Sequence, residues 1–295
     1  MKTPVFIKSG SSFLVYSNIF LAFCATAYTA KTALLLTGTN GNWHVNSIVF
    51  FATLFLYCFH RINKRKLISP NELIEERNDW VNNHKTLYLF LIGISTLMLL
   101  EELFFMPLRT WLVFIPVGAL GLGYTFPIIP TTKGWKRLRD IYWLKTFWIA
   151  FAFSWLTTFL PAVYRGSLSS MLKPEVLFIF IRGLLFLFAI CIPFDIRDIE
   201  FDKQKGVTTL PVLFGAKNSV YIAVILLLLF IFLVGTDFVY FNLNIKAASA
   251  LSLSAMVTVI LLQFAKAKRN SLVFPLLYDG AMLTQWIFLF VFMLL

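Results

Sequence analysis

The sequence predicts an all-α, polytopic membrane protein, a single domain built as a bundle of nine transmembrane helices. Three observations carry that prediction. Of 295 residues, 59% are hydrophobic and only 14% charged, whereas a soluble domain is about half apolar and about a quarter charged. The apolar residues fall in long, almost uncharged runs, as bilayer spans do. The basic residues gather in alternate connections between those runs, where the positive-inside rule puts them. No linker rich in Pro, Gly or Ser divides the chain, so residues 1–295 read as one domain.

The apolar runs fall approximately at 12–36, 45–60, 86–107, 109–130, 143–163, 174–194, 219–236, 247–265 and 271–294. The second and seventh are short for a hydrocarbon layer of about 30 Å. The first begins like a signal peptide, with Lys2, Lys8 and a small-residue site at Ala25-Thr26-Ala27. Apolar character nevertheless continues to Leu36, so a retained helix is expected.

Sidedness follows from the connections. Loop 61–85 carries six Lys or Arg, 131–142 four, 195–218 four and 265–270 three. The intervening connections carry four: Arg109, Arg165, Lys173 and Lys246. The N-terminus and the four basic loops are therefore expected in the cytoplasm, with the C-terminus across what reads as a bacterial inner membrane. The net charge of +12 is accounted for by these loops. A nucleic-acid partner is not expected, because it needs a contiguous basic face on a soluble module.

Several weaker features have plain readings. Cys24, Cys58 and Cys191 lie in or at the end of apolar runs, without metal or disulfide spacing. Gly118, Gly121 and Gly123 follow no strand and read as close helix packing. Lys145, Arg182 and Asp279 are lone charges within apolar stretches, expected to face inward and pair. The three His are scattered, and no Ser/His/Asp or Cys/His constellation is legible.

The informative segment runs from Pro193 to Pro211. Asp195, Asp198 and Asp202 stand at i, i+3 and i+7, which on a continuous helix stacks three carboxylates on one face. Glu200 points elsewhere. Three stacked anions repel unless a cation shares the site. Hard oxygen ligands suit Mg²⁺, which takes one or two carboxylates together with phosphate oxygens and water. Arg197, Lys203 and Lys205 stand close enough in sequence to neutralise phosphate. A solvated charged loop would explain Glu200, Lys203 and Lys205, but not the aspartate spacing.

The stretch Asp195-Ile-Arg-Asp-Ile-Glu-Phe-Asp-Lys-Gln-Lys-Gly-Val-Thr-Thr-Leu-Pro-Val-Leu-Phe-Gly215 resembles the second aspartate-rich motif of the UbiA superfamily of intramembrane prenyltransferases. The motif's DxxxD is matched by Asp198 and Asp202, and its position after the sixth span is similar too. The resemblance implies a helical bundle enclosing a lateral cavity. It implies a polyprenyl diphosphate held on Mg²⁺ at the cytoplasmic end, whose ionisation gives an allylic cation for an acceptor to attack. On this reading Asp195, Asp198 and Asp202 are both the catalytic and the metal residues.

The departures from the family pattern are specific. The first motif, NxxxDxxxD, belongs at the end of the second span, where Cys58, Ile62 and Lys66 stand instead. Asn71, Glu75 and Asp79 show NxxxExxxD spacing downstream as a displaced candidate. The YxxxK motif keeps Tyr124 but has Ile128 for lysine, leaving Lys133, Arg137, Arg139 and Lys145 as candidates to reach a phosphate. His60 and Arg61, in place of the missing acids, are candidate phosphate ligands.

The expected function is transfer of a prenyl group from an isoprenyl diphosphate to a hydrophobic acceptor, aromatic or quinone-precursor, in contact with membrane lipid. No obligate protein partner is evident. Terpene cyclisation on the same fold and non-catalytic binding of a lipid diphosphate remain open, the latter favoured by the lost acids. Neither a clear internal repeat nor midplane charge patterning supports a transporter.

Overall fold

The computed structural model describes residues 5–62, 72–127, 129–131, 134–138, 144–204, 206–265 and 272–295. Its apolar runs form helices, as backbone polar groups must be satisfied internally where water is excluded. The chain enters through α1 (Val5–Tyr16) and turns at Ser17–Asn18 into α2 (Ile19–Thr37). The first span therefore starts after Asn18, whose φ of 65° is left-handed. Asn tolerates that region better than most residues, because its short amide bonds locally.

Two further elements follow: α3 (Trp43–Ile62) and α4 (Glu72–Asn83), the latter bent by 78° against α5 (Lys85–Phe105). Next come α6 (Leu108–Thr125) and a short antiparallel hairpin, β1 (Ile129–Thr131) with β2 (Gly134–Lys136). The remainder is α7 (Leu144–Arg165), a 3₁₀ turn at Leu168–Leu172, α8 (Pro174–Arg197), α9 (Ile199–Gln204), α10 (Leu210–Tyr240) and α11 (Ile245–Leu262). A π-helical turn at Pro275–Asp279 leads into α12 (Gly280–Leu294).

Seven helices among the described residues are long and apolar enough to span by themselves, namely α2, α3, α7, α8, α10, α11 and the π turn with α12. The bent α4–α5 pair supplies an eighth span, and α6 contributes a shorter apolar helix over Leu108–Gly123. The chain is an integral membrane protein with the expected run of spans, the count of nine holding approximately. Helix α10 is longer than its apolar run because two helices meet at Gly215, where φ is 80°. A side chain is strained in that region, so glycine is the residue that permits the bend.

Packing closes α2, α7, α8, α10, α11 and α12 around one core that includes Tyr28, Phe186, Ile190, Leu227 and Phe230. Helices α3 and α5 pack on its flank. Helices α7 and α8 approach closely at Gly183, where an added Cβ would lie 2.7 Å from Ser154 Oγ of α7. At Gly118 and Gly121, where close packing is expected, an added Cβ would meet nothing within 4 Å among the described residues.

Candidate functional site

The ends of α3 and α8 and the starts of α7 and of the π turn meet at one end of the bundle, the end carrying the basic loops. Helix α8 delivers Asp195 and then stops, with Asp198 as its C-cap at φ −95° and ψ 9°. The three aspartates thus do not share one continuous helix face, as the spacing predicts. Relief of like-charge stacking and a local ion pair explain the break. Arg197 Nε and Nη2 donate to Asp198 Oδ1 and Oδ2 at 2.7 and 3.0 Å. Neighbouring residues of a regular helix do not face one another, and the bend at Asp198 brings these two together.

Asp195 and Asp202 remain a pair, each only 4% exposed. Lys145 Nζ, from the first turn of α7, sits 3.1 Å from Asp195 Oδ1 and 3.1 Å from Asp202 Oδ2. Thr146 Oγ1 donates to the other oxygen of Asp195. Burial raises the Asp202 carboxyl above its ordinary value, which the Lys145 ammonium opposes and the Asp195 carboxylate reinforces. Two buried anions sharing one ammonium leave the group a net negative charge, the condition under which a further cation is attracted. Among the described residues no set of three His, Cys, Asp or Glu closes on a metal position.

Arg197, within electrostatic reach of Asp195, belongs to a basic group that the sequence discloses only in part. Arg61 of α3 lies within electrostatic reach of Arg197 and Asp198. Arg77 of α4 joins Arg61 and Arg197, and Asp279 at the end of the π turn faces both Arg77 and Arg197. Arg77 Nη2 donates to Asn18 Oδ1 at 3.0 Å, and Asn18 Nδ2 in turn lies 3.7 Å from Cys58 Sγ. Its Nε is buried without a hydrogen-bond partner among the described residues. The left-handed turn at Asn18 therefore positions Arg77 close to where the family's first acidic motif belongs.

Helix α4 is held there by Trp80, whose ring lies 5.7 Å from Tyr16, 6.1 Å from Tyr88 and 4.2 Å from His84. Arg197 is flanked by the rings of Phe194 and Phe274 at 5.4 and 5.5 Å, a setting that favours guanidinium.

The other candidates separate clearly. Lys203 is half exposed and lies 4.0 Å from Glu200, itself turned to the outside. His60 stacks edge-on against Phe59 at 6.3 Å. Lys133, Arg139, Lys205 and Asn71 lie outside the described residues, as do the side chains of Tyr124 and Glu75. Asp79 is exposed on α4. Sequence reasoning missed Arg77 and Asn18, because neither stands in a recognisable pattern and their meeting depends on the bend between α4 and α5.

Away from this polar end, α3, α5 and α6 enclose an apolar groove of about 300 Å³ lined by Ala52, Phe55, Thr96, Leu99 and Trp111. Phe55 lies six residues before Arg61, about 9 Å along the helix axis. Tyr57, four residues before Arg61, has its ring 6.2 Å from Phe153 of α7.

The model of the UbiA prenyltransferase family matches residues 81–293. A UbiA homologue from Aeropyrum pernix K1, solved in its apo form, is 15% identical with a TM-score of 0.61 over 94% of this chain and 98% of its own. A UbiA homologue from Archaeoglobus fulgidus is 13% identical with a TM-score of 0.61, covering 96% and 100%. A structure giving insights into digeranylgeranylglyceryl phosphate synthase in membranes is 16% identical, with a TM-score of 0.55 over 96% of both chains. Likeness at these identities shows the fold. No curated protein matches the chain in sequence.

Proposed function

The chain belongs to the UbiA prenyltransferase family, and we propose that it transfers a prenyl group from an isoprenyl diphosphate to a hydrophobic acceptor at the mixed-charge end of the bundle. The observation that carries this reading is a group of three arginines, Arg61, Arg77 and Arg197, gathered near Asp198 and Asp279, with Arg197 also within electrostatic reach of Asp195 in the buried Asp195–Asp202 pair. A diphosphate needs the arginines for its oxygens. A metal bridging to it needs the acids.

The residues fit one Mg²⁺ in the chemistry of their donors. Asp195 and Asp202 already share Lys145, and a Mg²⁺ beside that ammonium would take carboxylate oxygen from the pair and complete its shell with phosphate oxygens and water. They do not extend to a second ion, since Asp198 is committed to Arg197. Bound there, the metal would neutralise charge on the departing diphosphate.

The chain's own groups supply the rest. Arg61, Arg77 and Arg197 hold the diphosphate and stabilise it as the allylic carbon–oxygen bond breaks. Lys145 holds the two acids in register. The apolar groove between α3, α5 and α6 takes the isoprenyl tail and keeps water from the allylic cation. The rings of Tyr57 and Phe153 offer that cation an aromatic face. The charge count of the loops supports a cytoplasmic location for this end.

A second reading rests on Lys145. Because it already neutralises part of the acid pair, the basic group could hold a lipid diphosphate without metal or turnover. Diphosphate release from geranyl, farnesyl and longer diphosphates, with and without Mg²⁺, separates the two. Prenyl transfer predicts metal-dependent release that falls at least about 100-fold in Asp202→Asn, the scale of one preorganised electrostatic group. Tight binding without release at any chain length supports the binding protein instead. Release without an added acceptor, yielding a hydrocarbon, indicates cyclisation.

A further inference from the structure

The turn between α1 and α2 diverts a buried amide from its ordinary task. Asn18 immediately precedes α2, where an asparagine usually has extended backbone and its side chain accepts from an N–H of the first turn. Here φ is 65° and ψ is 6°, and no such cap bond forms. The residue is 1% exposed, and both ends of its amide are committed to other helices. Oδ1 accepts from Arg77 Nη2 of α4 at 3.0 Å, while Nδ2 reaches Cys58 Sγ of α3 at 3.7 Å.

The turn itself is fixed from two sides. Tyr88 Oη of α5 donates to the carbonyl of Tyr16, and Cys58 Sγ donates to that of Ser17 at 3.5 Å. The amide therefore projects from a set backbone. It holds the Arg77 guanidinium at one corner, with the Tyr16 ring 6.0 Å away. A bond that served only to dock α4 would duplicate Trp80, which already packs on Phe13, Tyr16 and Tyr88. It also leaves Arg77 Nε buried with no hydrogen-bond partner among the described residues. Cys58 stands three residues before Arg61 on α3, about 4.5 Å along the axis. Asn18 thus keeps Arg77 beside the helix end that carries Arg61. Asn18 and Arg77 both precede residue 81, so the family match does not cover this arrangement.

We propose that Asn18 is a positioning residue for diphosphate recognition, holding Arg77 in its binding orientation before the ligand arrives. The proposal rests on the transferase reading of this end of the bundle. An arginine already ordered loses less rotamer freedom on binding. Its Nε and remaining N–H groups stay available to phosphate oxygens.

The test is a double-mutant cycle on the full chain, read by titration calorimetry with pyrophosphate. Asn18→Gly deletes the amide and keeps the left-handed turn, which glycine adopts freely. Affinity should fall about three- to tenfold, the scale of ordering one long side chain. In the Arg77→Gln background the same substitution should change affinity by less than about 1.5-fold, because the amide has nothing left to position. Equal losses in both backgrounds overturn the proposal, as does full affinity in a folded Asn18→Gly protein. If Asn18→Gly does not fold, Cys58→Ala runs the same cycle, since it frees Nδ2 and leaves the turn residue in place. A loss of about two- to threefold is then expected, again absent with Arg77→Gln, and unchanged affinity overturns the proposal. Wild-type protein that binds no pyrophosphate removes the diphosphate site, and the transferase reading falls with it. Binding that Asn18→Gly leaves intact removes only the role of Asn18.

Discussion

The acidic and basic halves of the candidate site are built on opposite principles. In the acidic half, Asp195 and Asp202 are close in sequence, deeply buried, and tied to one cation from α7. In the basic half, Arg61, Arg77 and Arg197 come from three different helices and are arranged by surrounding aromatics and by Asn18. Anions gathered in one short segment need an external cation to be stable together. Cations gathered from distant segments need something to hold the segments, and the Trp80 cluster does that. The acidic half is therefore governed by charge pairing, the basic half by packing.

The largest effect should come from breaking the acidic half at its cation. Lys145→Met leaves two buried carboxylates without the ammonium they share, and removal of one partner from a buried pair costs about 3–5 kcal/mol. The expected outcome is a marked drop in melting temperature in metal-free buffer. Mg²⁺ should restore more of the loss than it adds to the wild type, since without the ammonium the two carboxylates attract the metal more strongly. Thermal unfolding with and without Mg²⁺ reads both. Equal Mg²⁺ stabilisation of the two proteins would remove the acid pair from the metal-binding proposal.

The basic half should fail differently. Arg77→Gln removes one guanidinium from a group of three and leaves the fold supported by Trp80. A charge-assisted hydrogen bond is worth about 1.5–3 kcal/mol, so pyrophosphate binding should weaken about 10- to 150-fold with a modest change in melting temperature. Titration calorimetry with pyrophosphate measures this directly. If Arg77→Gln unfolds the protein while Arg61→Gln binds normally, the basic half is a structural clamp and not a ligand site.

The two halves also differ in how far the sequence discloses them. Spans are legible because a run of apolar residues has one physical solution in a bilayer, and the aspartates are legible because their spacing is local. The resemblance over Asp195–Gly215 extends that local reading to a family. Lys145 stands out as a lone charge in an apolar run, but its two partners lie 50 and 57 residues away in sequence. Arg77 reads as one more loop cation, because the bend of 78° between α4 and α5 has no signature in composition. The break at Asp198 is hidden for a related reason: helical periodicity continues through it, and only the Arg197 side chain shows why the helix stops. Contacts between segments were illegible, whereas patterns within segments were not.

The smallest effect marks the boundary of the site. Lys203 belongs to the same motif as Asp202, and by sequence it is as good a phosphate ligand as Arg197. In the structure its side chain is 53% exposed, and its neighbour Glu200, at 4.0 Å, is 75% exposed. Water screens such a pair, and exposed pairs contribute about 0–1 kcal/mol. Arg197, one turn and a half earlier, is enclosed by Phe194 and Phe274 and faces inward. Lys203→Ala should therefore change pyrophosphate affinity by no more than about twofold, and Mg²⁺-dependent release equally little. Measured beside Arg197→Gln, the contrast tests whether burial, not membership of the motif, decides which cations act. A tenfold loss in Lys203→Ala would mean that α9 turns its outer face onto the ligand when the diphosphate binds, and the basic half would then extend across both faces of the motif.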